Sequence, residues 1–221
     1  MRKRHKITRR QPWESLSFSS RAFFFRKDCV DHDVFDEVTT YDYYLLKELT
    51  APPVNVLDIG AHIGSFSCWC SYLFPASHIW AFEPHPKNYE ILQENMRLYP
   101  NVTIHNVALS DHDGLAFMNN DLVNTGGNWV VPKGIFPIQV ADVMRFMTRK
   151  YDFAKFDCEG GEKPVLKRLA EAGVLKDIKT IVGEFHGGEA MDLVLSLGAK
   201  IVGEVTKPIT NITLGKFRFT H

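Results

Sequence analysis

An α/β fold on a largely parallel sheet is predicted by three observations: β-like apolar runs alternating with helical stretches, glycine-bearing turns where strands pass into helices, and a short link between the last two β-like runs. Alternation of that kind marks βαβ units. From about Asp33 to Leu49, the residues Val34, Phe35, Val38, Tyr41, Leu45, Leu46 and Leu49 fall near helical spacing, and Pro52-Pro53 ends what reads as a leading amphipathic helix. Strands are then expected over 54–59, 78–82 and 102–107, with helices over 65–74 and 87–98 between them. An Asp113-Gly114 turn leads into a short run at 115–118, and the Gly/Asn-rich stretch 119–128 reads as a hairpin or a mobile lid. Further on, 153–156 and 180–185 read as strands, and 163–172 and 189–197 as helices. The final runs, 200–205 and 212–219, are joined around Pro208 by a link too short for a crossover helix, so they should pair antiparallel.

With 221 residues the chain is long enough to bury one ordinary core, and its 45% apolar and 24% charged residues exclude a disordered or collagen-like polymer. Lysine plus arginine and aspartate plus glutamate number 26 each, so net charge provides no general attraction to nucleic acid or anionic membrane. The charge is uneven, however. The opening MRKRHKITRR is strongly basic, which sets residues 1–28 apart as a flexible tail ahead of a domain over 29–221. Such a tail either binds RNA or acidic glycan or is simply solvated. No apolar stretch approaches the roughly 20 residues of a membrane span, and Phe23 to Phe25 are too few for a signal-peptide core, so a cytoplasmic protein is expected. Cys29, Cys68, Cys70 and Cys158 form no C-x-x-C pair and no zinc-like spacing with histidine, so no metal is required by the pattern.

The strongest local signal is VLDIGAHIGSFS, in which an apolar strand reaches Asp58 and passes through Gly60 and Gly64 into a helix. Glycines there permit a tight turn and close approach to a ligand. Their G-x-x-x-G spacing lacks the middle glycine with which dinucleotide folds meet a pyrophosphate, which argues against NAD or FAD. Glu83 ends the next strand 19 positions after Gly64, against about 20 for the acid that binds ribose hydroxyls in a nucleotide-binding unit. Together these favour an adenosine-containing ligand without phosphates. S-adenosylmethionine fits, because Asp58 would complement its cationic groups.

Two further segments deliver acids to strand ends. FAKFDCEGGE presents Asp157 and Glu159 before a helix, where they either face a ligand or cap that helix. IVGEFHGG places Glu184 and His186 at the end of a neighbouring strand, with the histidine either a hydrogen-bonded structural residue or a base. Trp129, beside the Gly/Asn-rich stretch, either stacks on a substrate or packs.

Taken in order, VLDIGAHIGSFS, WAFEPHPKNYEIL, NVALSDHDG, FAKFDCEGGEKPVL and the strand with EFH resemble the FkbM-like methyltransferases, a branch of the class I S-adenosylmethionine-dependent enzymes. The resemblance spans Val54 to His186. It implies a Rossmann-like three-layer α/β/α sandwich with a seven-stranded, mostly parallel sheet and an antiparallel final pair. It also implies that Asp58, Gly60, Ala61, His62 and Gly64 line the methionine and ribose side, that Glu83 holds the ribose, and that Pro84 shapes the turn beside adenine. Asn106, Ala108 and Leu109 would flank the adenine edge, with Asp157 and Glu159 near the transferred methyl. The family commonly has asparagine where His62 stands and an aliphatic residue where Cys158 stands.

The implied reaction transfers a methyl group, most simply to a hydroxyl of a sugar or small molecule, with Asp157, Glu159 and His186 as the candidate bases. An alternative is an RNA or other nucleic-acid methyltransferase, for which Asp157, Glu184, Lys155 and Lys163 would form the Lys-Asp-Lys-Glu set of ribose 2′-O enzymes. A noncatalytic module that binds the cofactor is a third reading.

Overall fold

The structure, a computed structural model, describes residues 13–18, 21–186, 188–207 and 212–218, with side chains described over 21–186 and 188–200. The basic residues 1–10 and Pro208 lie outside the described residues. The chain opens with a hairpin of β1 (Trp13–Phe18) and β2 (Arg21–Arg26), followed by α1 (Asp31–Thr39). Then come β3 (Asn55–Ile59), α2 (Ser65–Leu73), β4 (His78–Phe82), α3 (Pro86–Met96) and β5 (Val102–His105). Short strands β6 (Ala108–Ser110), β7 (Gly114–Met118), β8 (Val130–Val131) and β9 (Phe136–Asp142) intervene. The alternation resumes with β10 (Phe153–Phe156), α4 (Glu162–Glu171), β11 (Thr180–His186) and α5 (Gly188–Ser196), and closes with β12 (Lys200–Lys207) and β13 (Ile212–Arg218).

Seven strands form the main sheet in the order β12-β13-β11-β10-β3-β4-β5. β11, β10, β3, β4 and β5 run parallel, whereas β13 is antiparallel to both β11 and β12. The expected antiparallel final pair is therefore present. Both faces are covered, which is why the central strands read as near-continuous apolar runs. Leu57, Ile59, Phe82 and Phe156 pack with Val165, Leu166 and Leu169 of α4 on one face. Val56, Ile79 and Phe153 pack with Phe66 and Trp69 of α2 on the other. A separate four-stranded sheet, β6-β9-β7-β8, was not foreseen as such; the sequence reading reached only the run at 115–118.

Two expectations need correction. The leading helix ends at Thr39, because Asp42 and Leu45 adopt left-handed backbone at φ 52° and 56°. The Asp42 carboxylate accepts from the amides of Leu46 and Lys47 and from Trp69 Nε1, so it draws backbone donors away from a helical ladder. The apolar spacing through Tyr41 to Leu49 is real, but it serves a turn and a single 3₁₀ turn at Leu46–Glu48. Second, Phe23 and Phe25 are buried with Phe35 and with Ile91, Leu92 and Met96 of α3. The Asn95 amide clasps the strand as well: Phe24 N–H donates to its Oδ1 at 2.7 Å, and its Nδ2 donates to Phe24 O at 2.9 Å. β2 thus packs with the body of the domain rather than with the basic tail that charge suggests for residues 1–28.

Phe23→Ala should therefore destabilise the protein by about 3–5 kcal/mol, as a large core truncation does. Chemical denaturation checks this; a detachable tail would leave the midpoint unmoved.

Candidate active site

The chain runs from β3 outward to β5 and then returns to β10 on the other side of β3, so the loops after β3 and β10 diverge and leave a crevice at their carboxyl ends. β3 and β10 pair in register with Asp58 opposite Lys155. Both side chains are buried, at 0% and 3% exposure. Lys155 Nζ lies 3.3 Å from Asp58 Oδ1 and 3.8 Å from Asp157 Oδ2, and it donates to the Gly60 carbonyl at 2.5 Å. Burial pulls the lysine pKa down, but Asp58 and Asp157 outweigh it and hold the ammonium above its usual value. Ser67 Oγ donates to the other Asp58 oxygen at 2.7 Å. Gly60, at φ 81°, passes so close to the Asp157 carbonyl that a β-carbon would sit 1.7 Å from its oxygen. Only glycine fits there.

The crevice opens into a cleft of about 270 Å³. Gly60, Ala61, His62, Glu83 and Pro84 line one part, and Tyr43, Tyr44, Asp157, Glu159 and Glu184 another. Glu83 directly follows β4 and is 5% exposed; one carboxylate oxygen accepts from His62 N–H and the other from His85 N–H, both at 2.8 Å. Burial pushes its carboxyl up to about 7 despite these bonds. Three buried polar atoms on the wall have no partner among the described residues: Ser65 Oγ, His62 Nδ1 and Asn88 Oδ1. Buried groups of this kind are normally satisfied, so three unpartnered atoms on residues that line one cleft single it out as a candidate polar site.

His62 and Glu159 both adopt φ 52°. Histidine tolerates this region better than most residues do. His62 Nε2 lies 3.1 Å from Thr125 Oγ1 and 3.3 Å from Asp31 Oδ1. Thr125 donates to Asp31 at 2.6 Å, and Arg26 grips the same carboxylate through Nε and Nη2. Asn88 and Asn128 both donate to the Thr125 carbonyl. The stretch 119–128, expected as a hairpin or lid, is thereby anchored at its middle over the cleft.

The helix-cap reading of Asp157 and Glu159 does not hold. Tyr44 Oη donates to Asp157 Oδ2 at 2.6 Å, and Glu159 Oε2 lies 3.1 Å from His186 Nε2. Glu162 organises the loop instead, with its Oε1 accepting from Cys158 N–H and its Oε2 from Gly160 N–H. The second His186 nitrogen, Nδ1, lies 3.2 Å from Glu162 Oε1. Burial opposes charge on this imidazole, yet the two carboxylates push its pKa up to about 10. The two carboxylates favour the charged form of His186, which sets its ring between Glu159 and Glu162.

A second, more apolar cavity of about 380 Å³ adjoins the cleft and shares Gly60, Pro84 and Glu159 with it. Ala108, Leu109, Ala116 and Val140 of the small sheet line it, and Trp129, half exposed, stands at its wall. Asn106 is not among the lining residues; its Nδ2 donates to the carbonyls of Glu83 and Pro84 and so shapes that turn. Asp58 and Gly64 also sit behind the wall. Asp58 is matched by Lys155 rather than open to a ligand, and Gly64, at φ 95°, packs against Leu92 and Met96 at the start of α2. Lys163 pairs with Glu189 on the surface, so the four residues of the Lys-Asp-Lys-Glu alternative are not assembled in the cleft. Tyr43, Tyr44, Ser65, Asn88 and Glu162 escaped the sequence reading; only the serine, one place after Gly64 at the start of α2, carried a local signal.

A family model described as the methyltransferase FkbM domain matches residues 58–198. The hexuronic acid methyltransferase AglP of Haloferax volcanii is 30% identical over 158 residues, covering 68% of this chain and 64% of the relative. The methyltransferase sdnD of Sordaria araneosa is 35% identical over 65 residues, 29% of this chain and 25% of the relative. The chain thus spans less than two thirds of the curated relatives it matches. Among solved structures, methyltransferase FkbM from Methylobacillus flagellatus superposes with a TM-score of 0.59 at 17% identity, covering 80% of this chain and 46% of that one. The Pyrococcus abyssi tRNA (uracil-54, C5)-methyltransferase in complex with S-adenosyl-L-homocysteine gives 0.52 at 13%, covering 94% and 44%. At such identities the likeness is one of fold.

Lys155→Met should cost about 3–5 kcal/mol, because it strands the buried Asp58 carboxylate. Adding Asp58→Asn should restore most of that loss in denaturant melts; equal destabilisation by the single and double variants would remove the ion pair from the account.

Proposed function

This chain belongs to the FkbM methyltransferase family, and on that premise we propose that it is an S-adenosylmethionine-dependent O-methyltransferase acting on a sugar hydroxyl. The observation that carries the cofactor reading is the set of unpartnered buried atoms beside Glu83: Ser65 Oγ, His62 Nδ1 and Asn88 Oδ1. The residues around them could serve the cofactor part by part. Glu83 would accept from the ribose hydroxyls, Ala108 and Leu109 would flank adenine in the apolar cavity, and Ser65 with the first amides of α2 would take the methionine carboxylate. Gly60 and Ala61 would meet it with backbone. When bound, the cofactor supplies a methyl group already activated on a sulfonium, so the protein has mainly to align an acceptor and remove its proton.

Asp157 is the base of choice. It stands in the cleft at the end of β10, with one oxygen oriented by Tyr44 Oη and the Lys155 ammonium 3.8 Å away. Glu159 also lines the cleft but lies against His186, and the carboxylates on either side of that ring favour its protonated form over a free base. The sugar acceptor is suggested by the hexuronic acid methyltransferase, 30% identical to this chain. The nucleic-acid alternative rested on the basic residues 1–10, which lie outside the described residues, and on the Lys-Asp-Lys-Glu set, which Lys163 leaves incomplete.

With a sugar acceptor and labelled S-adenosylmethionine, Asp157→Asn should lower kcat by about 10²- to 10⁴-fold, the range for loss of a general base. Its affinity for S-adenosylhomocysteine should stay within about threefold, less than 1 kcal/mol. Unchanged kcat removes Asp157 from the chemistry; lost product affinity makes it a cofactor ligand instead.

A further inference from the structure

Side chains from separate parts of the chain converge on a buried carboxylate behind the cleft. Asp31, at the start of α1, lies against Arg26 of β2, Thr125 of the stretch 119–128 and His62 of the turn after β3. Burial opposes charge on Asp31, yet His62 and Arg26 hold its carboxyl well below the usual carboxylate range. An ionised carboxylate only accepts, so the Thr125 hydroxyl gives its one proton to Asp31 Oδ1 at 2.6 Å and can only accept from His62. Thr125 Oγ1 and Asp31 Oδ1, 3.1 and 3.3 Å from His62 Nε2, are two acceptors against one donor, Arg26 Nη2 at 3.3 Å. The ring proton therefore belongs on Nε2. The His62 ring is clamped from outside the site, since neither Asp31 nor Thr125 is among the residues lining the cleft or the adjoining cavity.

Both ends of this clamp lead to Glu83. His62 stands at φ 52°, a conformation that surrounding contacts must hold, and its own N–H donates to Glu83 Oε2 at 2.8 Å. The Thr125 carbonyl accepts from Asn88 Nδ2 at 3.0 Å, and the same Nδ2 lies 3.5 Å from Glu83 Oε1. A backbone bond from Val30 N–H to the Val123 carbonyl, at 3.0 Å, joins the start of α1 to the stretch separately, so the stretch does not hang on the Thr125 hydroxyl alone. Resting on the reading of Glu83 as the carboxylate that holds the cofactor's ribose, we infer that Asp31 and Thr125 are positioning residues for that cofactor: through His62 they fix the Glu83 carboxylate and so set cofactor affinity. Asp31 precedes residues 58–198, so the working cofactor site of this chain reaches back beyond the segment that the family model matches.

The test is a double-mutant cycle on the full chain, read by calorimetric titration of S-adenosylhomocysteine and needing no acceptor. Thr125→Val removes the hydroxyl at nearly constant volume and should weaken binding by about tenfold, the effect of losing one hydrogen bond to a charged group. Thr125→Ser keeps the hydroxyl and should bind within about threefold of the native chain. In a Glu83→Gln background, Thr125→Val should change affinity by less than about twofold, because the group it positions is already gone. Asp31→Asn, measured in the same two backgrounds, supplies the cycle if Thr125→Val fails to fold. Native-like binding by Thr125→Val, or an equal loss with and without Glu83, overturns the inference and leaves the cofactor reading standing. No binding by the native chain, or unchanged binding by Glu83→Gln, overturns the reading of Glu83 and the inference with it.

Discussion

The Lys155 ammonium sits where the chain reverses its direction across the sheet, and the cleft depends on what it holds together. Asp58 and Lys155 face each other in register on β3 and β10, the two strands whose following loops must part to make a crevice. By donating to the Gly60 carbonyl while flanking Asp157, the same ammonium draws the glycine turn against the loop after β10. A charge taken out of water at this depth is tolerated only because carboxylates and a carbonyl replace its hydration. The outcome is a rigid floor. Gly60 touches the Asp157 carbonyl, and Glu83 and Asp157 open into one cavity from strands on either side of β3.

Around that floor the molecule divides its work between two connected spaces. The small sheet supplies an apolar wall through Ala108, Leu109 and Val140, and the turns of the main sheet supply a polar one. Two charged clusters fix the edges. Arg26 and Asp31 tie the opening hairpin to His62 and Thr125, so the first strands of the chain stabilise the turn after β3 and the stretch above it. On the far side His186, its charged form favoured by Glu159 and Glu162, lies against the loop after β10. The family model that matches 58–198 begins after the hairpin, yet the hairpin contributes to the site's support.

Alternating apolar runs and the glycine turn were enough to place β3, β4, β10 and β11 and the helices between them, because strands buried on both faces leave a continuous apolar signature. Gly60, Glu83 and Asp157 were legible for the same reason: a glycine or acid at the end of such a strand has few other reasons to be there. What escaped depends on contacts remote in sequence. Tyr44 reaches Asp157 across 113 positions, and its segment imitates a helix until Asp42 takes the backbone amides. Lys155 looks like any strand lysine until Asp58 is set opposite it. His186 stands at a strand end in sequence, and only the structure sets Glu159 and Glu162 against its ring, where they favour its charged form. Of the small sheet, β6 and β8 are three and two residues long, too short to show a period, and β9 opens on Phe136-Pro137, where proline disguises a strand.

Calorimetric titration of S-adenosylhomocysteine from pH 5.5 to 8, with native protein and with Glu83→Gln, tests the central claim that Glu83 stands ready to hold a cofactor's ribose. Burial has raised its pKa to about 7, so below that value the free protein carries a proton that the hydroxyl-accepting carboxylate must lose. Affinity should therefore weaken as pH falls through about 7, approaching tenfold per unit for one linked proton, and the dependence should vanish in Glu83→Gln along with much of the affinity. No binding at any pH, or native binding indifferent to both pH and Glu83, would contradict the account.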